Sequence, residues 1–313
     1  MGNSSITTAT YSVAALNDLG VTATSTELNY VDGVTSAIQT QLDGKQTTLV
    51  SGTSIKTVNS TSLLGSGDIP VFPYTSEFTR RKEAPRKYWS FFSDMEQILS
   101  TTGSDKALRL FNSGTGAGTT ELATTGNDRI GIARHATGTT ATGRTAMRLS
   151  SSAIRFSGGT YFFETMVRVP TLSTPAERFQ FIVGFADTET AANQVDGAYF
   201  LYDEGGVSTG STAAAYWQTV TVSNSSRTFN TSLTQTTVTA NQWYRLGIEV
   251  NATGTSVAFY IDGSLVATHT ATIPTASGRE TSVMSLLIKS VGTTSRNVDV
   301  DYINAVAELT TAR

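Results

Sequence analysis

From Tyr88 onward, short apolar or alternating runs recur between turn residues, and this pattern limits the possible folds more than any other feature of the 313-residue chain. The runs are Tyr161–Pro170, Phe179–Phe185, Gly197–Tyr202, Tyr216–Val222, Trp243–Val250, Val257–Ile261, Val283–Ile288 and Val298–Val306. A strand sends successive side chains to opposite faces, so a period of two marks a sheet with one face buried. Over Thr160–Val169, Tyr161, Phe163, Thr165, Val167 and Val169 share one face, and Phe162, Glu164, Met166 and Arg168 share the other. Asp262-Gly263, set between Tyr260-Ile261 and Leu265-Val266, is a strong signal for a tight hairpin turn. Helical periodicity in this region is confined to a weak Ser93–Ser100 segment. The pattern predicts an all-β fold over residues 85–313, an antiparallel two-sheet β-sandwich.

Composition narrows the function classes. Charged residues make up 15% of the chain and the net charge is −3, which argues against a general nucleic-acid binder. With 0 cysteines there is neither a disulfide framework nor a thiolate metal site, so stability must come from burial and oligomerisation. No apolar run reaches the length of a membrane span. The first twenty residues have no basic n-region and no apolar h-region, which predicts synthesis without a secretory leader and places N-x-S/T sequons such as Asn224-Ser225-Ser226 outside a glycosylating pathway.

Glu27–Gln46, ELNYVDGVTSAIQTQLDGKQ, reads as a short amphipathic helix. Leu28, Val31, Ile38 and Leu42 fall at heptad steps with Thr35 as a polar seam position, Thr26 is placed to cap the start, and Gly44 to end it. About two heptads do not hold an isolated helix in water, so either identical copies bundle or the helix packs on its own domain. The segment resembles one that recurs in bacteriophage fibre and tail proteins, and Ser54–Val71 is similar to another such element, read here as a hairpin or extended arm. The resemblance implies a homotrimer on a virion, docked to a phage capsid or tail protein. The expected organisation is a particle-attachment arm at 1–26, a helical trimerisation segment at 27–46, a β-element and linker at 47–84, and the sandwich at 85–313. Thr79–Lys87 gathers the local positive charge and reads as a solvated linker.

Asn241–Thr270, NQWYRLGIEVNATGTSVAFYIDGSLVATHT, resembles the concanavalin-like, laminin-G-like jelly-roll signature. Trp243, Tyr244, Leu246 and Ile248 supply its first strand, Val257, Phe259 and Ile261 its second, and VDVDYINA suits the final strand of such a roll. The resemblance implies binding of glycans or polymeric surfaces, with glycoside hydrolases among the family.

Catalytic signals are weak. A glycosidase needs two carboxylates facing one another across a sugar, and no E-x-D-x-x-E run is present. Asp299 and Asp301 are the best pair, on one strand face, with Tyr302 and Asn304 expected on the other and the two acids expected to face solvent. His135 and His269 lack carboxylate neighbours in sequence and read as surface or strand residues. No cofactor is expected. Calcium is a minor alternative for Asp187, Glu189 and Asp196, whose loop matches no defined calcium spacing. A ligand site is expected at Tyr202, Asp203, Glu204, Tyr216 and Trp217, where rings could stack on sugar faces and carboxylates accept from hydroxyls. Together these features predict a non-enzymatic trimeric fibre or capsid-decoration protein presenting heads to a host-surface glycan. A polysaccharide depolymerase on the same sandwich is the alternative, and a cap that nucleates the trimer a third.

Overall fold

The computed structural model describes residues 22–30, 86–95, 108–122, 129–149, 153–208, 214–230 and 237–312, with isolated positions 20, 32 and 40. The chain divides into two compact units, Met1–Pro73 and Tyr74–Arg313. In the first, helix α1 spans Ser25–Asn29 and its N-cap is Thr24, two residues earlier than the expected Thr26. The reason is a capping box, which needs Glu three residues after the cap. The Glu27 amide donates to Thr24 Oγ1 at 3.3 Å, and the Thr24 amide donates to Glu27 Oε2 at 2.7 Å. Leu28 lies on this helix and is 36% exposed. Val31, Ile38, Leu42, Gly44 and the Ser54–Val71 element lie outside the described residues.

The second unit is a sandwich of antiparallel strands. In chain order these are β1 (Tyr88–Ser93), β2 (Arg109–Ser113), β3 (Ala117–Leu122), β4 (Ile132–Thr137) and β5 (Arg144–Arg148). They continue as β6 (Gly159–Arg168), β7 (Phe179–Ala186), β8 (Gly197–Asp203), β9 (Ala214–Ser223) and β10 (Ser226–Phe229). The last five are β11 (Trp243–Val250), β12 (Val257–Ile261), β13 (Ser264–His269), β14 (Ser282–Lys289) and β15 (Asn297–Leu309). One sheet has eight strands in the order β13-β12-β11-β6-β15-β4-β3, with β1 added along the second half of β15. The other has seven, β10-β9-β8-β7-β14-β5-β2. Ser93 ends β1 and Met95 has φ 55°, so the weak helical segment predicted at Ser93–Ser100 does not start as a helix, and its remainder lies outside the described residues.

The alternation predicted for β6 is the alternation observed. Tyr161, Phe163, Thr165 and Val167 are buried between the sheets, whereas Phe162 is exposed and Glu164, Met166 and Arg168 are half-buried on the outer face. Phe156, Phe163, Phe185, Phe200 and Phe259 meet edge-on or tilted in the core, the geometry their ring quadrupoles favour. The Asp262-Gly263 hairpin closes β12 onto β13, and both residues have positive φ as a type I′ turn requires. Asn224-Ser225 makes the same turn between β9 and β10, with φ 51° and 67°.

Candidate functional site

The outer face of the eight-stranded sheet carries an ionic and aromatic cluster set by the register of β15. Val300 pairs with Val167 and Ile303 with Thr165, so Asp301 and Tyr302 together oppose Met166. This β-bulge breaks the strict period of two. Tyr302 and Asn304 therefore do not point away from the aspartates as expected. The Tyr302 hydroxyl donates to Glu164 Oε1 at 2.6 Å, and Asn304 sits opposite Glu164, on the same outer face as Asp299. Burial, and then the Glu164 carboxylate, push the Tyr302 phenol up. Phe92 of β1 stacks on Tyr302 with ring centroids 6.1 Å apart and is 58% exposed.

The two aspartates do not face solvent either. Asp299 is fully buried, because β4 and β6 each place an arginine beside it. Arg134 Nε donates to Oδ1 at 2.6 Å and its Nη2 to Oδ2 at 2.9 Å. Arg168 donates to Oδ2 through Nε at 3.0 Å and Nη2 at 2.6 Å. A carboxylate buried in this way is tolerable only because four charge-assisted bonds replace its water. The bonding to Asp299 raises the Arg134 pKa further. Asp301 is paired with Arg129. The Arg129 guanidinium carbon lies 4.2 Å from the centroid of the half-buried Trp243 ring, and that of Arg168 lies 4.7 Å from it. Such contacts hold guanidinium planes in place while leaving part of each group in water.

Tyr202, Asp203 and Trp217, expected to hold a ligand, are fully buried instead. Strands β8 and β9 turn Tyr202 and Trp217 into the interior, where Trp217 packs edge-on to Phe181, Tyr202 and Tyr244. The Tyr202 hydroxyl accepts from the Ser173 amide at 2.8 Å and donates to Glu204 at 3.2 Å. Asp203 accepts from the amides of Val207 and Ser208 and so fixes the turn that follows β8. Glu204 and Tyr216 are half-buried, Tyr216 in a bridge to Thr237. A ring with no exposed face cannot stack on a sugar, so Tyr202 and Trp217 are core and Asp203 is turn structure.

The acidic loop between β7 and β8 doubles back over the outer face of the seven-stranded sheet. Glu189 pairs with Arg148, the Ala192 carbonyl accepts from Gln180 Nε2 at 2.9 Å, and the Gln194 carbonyl accepts from Arg227 Nη2 at 2.6 Å. Beneath lies a second apolar cluster that includes Ile182, Leu201, Met284 and Leu286. Asp187 accepts from the Val195 amide at 3.0 Å, and burial pushes its carboxyl up. Asp196 accepts from the Asn224 amide at 2.9 Å and pairs with Arg279 at 3.3 Å. Asp187, Glu189 and Asp196 thus fasten a strap, and among the described residues no three His, Asp or Glu side chains converge as a metal site.

Sequence reasoning located Asp299 and Asp301 but missed Arg129, Arg134, Arg168 and the role of Trp243. Arg168 and Glu164 share the polar face of β6 with Phe162 and Met166, which was the available signal. Arg134 is brought to Asp299 by a pairing of distant strands that leaves no trace in local sequence.

This strand order and the continuous interior between two antiparallel sheets define a concanavalin-like jelly-roll domain. The chain belongs to the SO2946-like family, whose C-terminal domain matches residues 128–301. The structure is similar to that of SO2946 from Shewanella oneidensis MR-1, a protein of unknown function: identity is 15% over 72% of this chain and 89% of that one, with a TM-score of 0.52. Peanut lectin is 12% identical over 72% of this chain and 99% of its own, with a TM-score of 0.47. The endo-1,3-β-glucanase of Streptomyces sioyaensis is 11% identical over 71% and 96%, with a TM-score of 0.44. No curated protein matches the sequence.

Proposed function

We propose that this chain is a non-enzymatic adhesion protein of a bacteriophage particle, a homotrimeric fibre or capsid-decoration protein. Its amino-terminal region holds the phage capsid or tail, and its jelly-roll domain presents the outer face of the eight-stranded sheet to a host-surface glycan. The observation that carries the adhesive reading is the state of the carboxylates on that face. Asp299 is held by two arginines, Asp301 by Arg129, and Glu164 by the Tyr302 hydroxyl. General acid–base hydrolysis of a glycoside asks for two acids in different protonation states with a sugar between them. Carboxylates already bonded to guanidinium and phenol groups are better suited to hold a binding surface in shape. The viral setting rests on the resemblance of residues 27–46 and 54–71 to fibre elements.

Binding and cleavage are separated by one experiment on the full-length protein. Purified bacterial surface polysaccharide is expected to retain the protein and to remain intact, with no new reducing ends. Release of reducing ends that disappears in the double variant Asp299→Asn, Asp301→Asn would establish the depolymerase instead.

A further inference from the structure

Arg134 and Arg168 share one carboxylate, Asp299, so this pair carries a local excess of one positive charge, although Asp301 pairs with Arg129 and Glu164 lies on the same face. Asp299 needs only one bidentate arginine to satisfy it, yet it holds two. Both use Nε and Nη2 on Asp299, so the Nη1 group of each remains for an outside acceptor. The Arg134 and Arg168 side chains are 30% and 23% exposed, so each is reachable in part from solvent. Arg129 adds a third guanidinium against the same Trp243 ring. Like charges this close repel unless an anion compensates them. Fixing both arginines on one carboxylate also removes most of the side-chain entropy that binding would otherwise cost.

We propose that Arg134 and Arg168, held by Asp299 beside Trp243, form a subsite for the oxyanion of an acidic polysaccharide, a carboxylate or a sulfate ester. The inference rests on the adhesive reading above and adds the ligand's charge and the place where it is read. The oxyanion would take the two Nη1 groups as a fork, and the adjoining sugar would lie against the exposed part of Trp243. Charge-assisted bonds of this kind are worth enough that losing one weakens binding about tenfold or more.

The test uses the full-length chain and two matched pairs of polymers: polygalacturonate with its methyl ester, and dextran sulfate with dextran. Binding is measured at low and high salt. At least one acidic polymer is expected to bind, its neutral partner to bind at least tenfold more weakly, and salt to weaken the acidic interaction. The pair that responds distinguishes carboxylate from sulfate. Arg134→Gln is expected to abolish the charge preference, Arg134→Lys to restore part of it, and Trp243→Ala to weaken binding of the acidic polymer. Thermal melts of each variant show whether it is folded, and the lysine variant keeps the test decisive if the glutamine variant is not. Equal binding of acidic and neutral polymers, no binding to either acidic polymer, or an unchanged preference in both Arg134 variants would overturn the subsite. If bacterial surface polysaccharide still binds in any of those cases, only the subsite falls. If it does not bind, the adhesive reading falls with it.

Discussion

His135 and His269, the two histidines of the chain, are both buried and must stay neutral where they sit. His135 Nε2 bonds Ser285 Oγ at 2.9 Å and its Nδ1 bonds Thr119 Oγ1 at 3.0 Å. His269 shares both ring nitrogens with Thr219 and Thr221 at 2.9 Å. Their hydrogen-bond partners are hydroxyls, and burial pushes His135 down to about 3, against the opposing charge of Asp299, and His269 down to about 4. Above about pH 6.5 the rings are neutral in folded and unfolded chains alike and impose no pH dependence. Below it the unfolded chain takes up protons that the fold refuses, so stability falls by up to about 1.4 kcal/mol per pH unit for each ring until the folded rings titrate. Urea unfolding followed from neutral pH down to about pH 5 is expected to show this loss, and His269→Gln to make the slope shallower. An unchanged slope in that variant would assign the acid sensitivity to His135 and to carboxylates. Local sequence does not mark either histidine as interior, because the hydroxyl groups that satisfy them come from other strands.

At the scale of single elements, legibility followed the chemistry of the interior. Strands β6, β7, β8, β11, β12, β14 and β15 have apolar inward faces and were visible as alternation or apolar runs. Strands β3, β4 and β5 were not, since the interior they enclose is a polar network in which Thr119, His135 and Thr145 bond to one another. Hydrophobic periodicity cannot report a face that is buried but polar. The bulge in β15 was equally hidden, and it reversed the expected facing of Tyr302 and Asn304. In β7 the run FQFIVGF foretold a strand but not the role of its glycine. Gly184 has φ 139°, and a Cβ there would stand 2.6 Å from Ile248 Cδ1 across the sandwich and 2.8 Å from the Ala198 carbonyl oxygen. Gly184→Ala therefore displaces the Ile248 side chain, crowds the backbone of the neighbouring strand β8 and strains its own backbone. It is expected to cost about 1–3 kcal/mol, read as a lower denaturation midpoint with an unchanged slope. A neutral result would mean that Ile248 and the β8 backbone give way without penalty at this point.

For the whole molecule, the proposed adhesion depends on valency more than on any single contact. A site built from two guanidiniums and part of an indole is a weak binder alone. Tethering copies on one particle makes each later contact intramolecular, and avidity can then exceed single-site affinity by about 10²–10⁴ without new chemistry. A short helix such as α1, with its own capping box, supplies a start signal but too little buried surface to be stable alone. If the segment at 27–46 bundles three chains, full-length protein will scatter light as a trimer, and residues 74–313, the second compact unit, will scatter as a monomer. The same truncation should leave binding to a single immobilised polysaccharide chain nearly unchanged while abolishing retention on a dense polysaccharide surface, because only the latter requires several heads at once. A trimer that survives truncation would instead place the contacts within Tyr74–Arg313, with the sandwich capping the assembly. A monomer at full length would leave the particle itself to supply the valency.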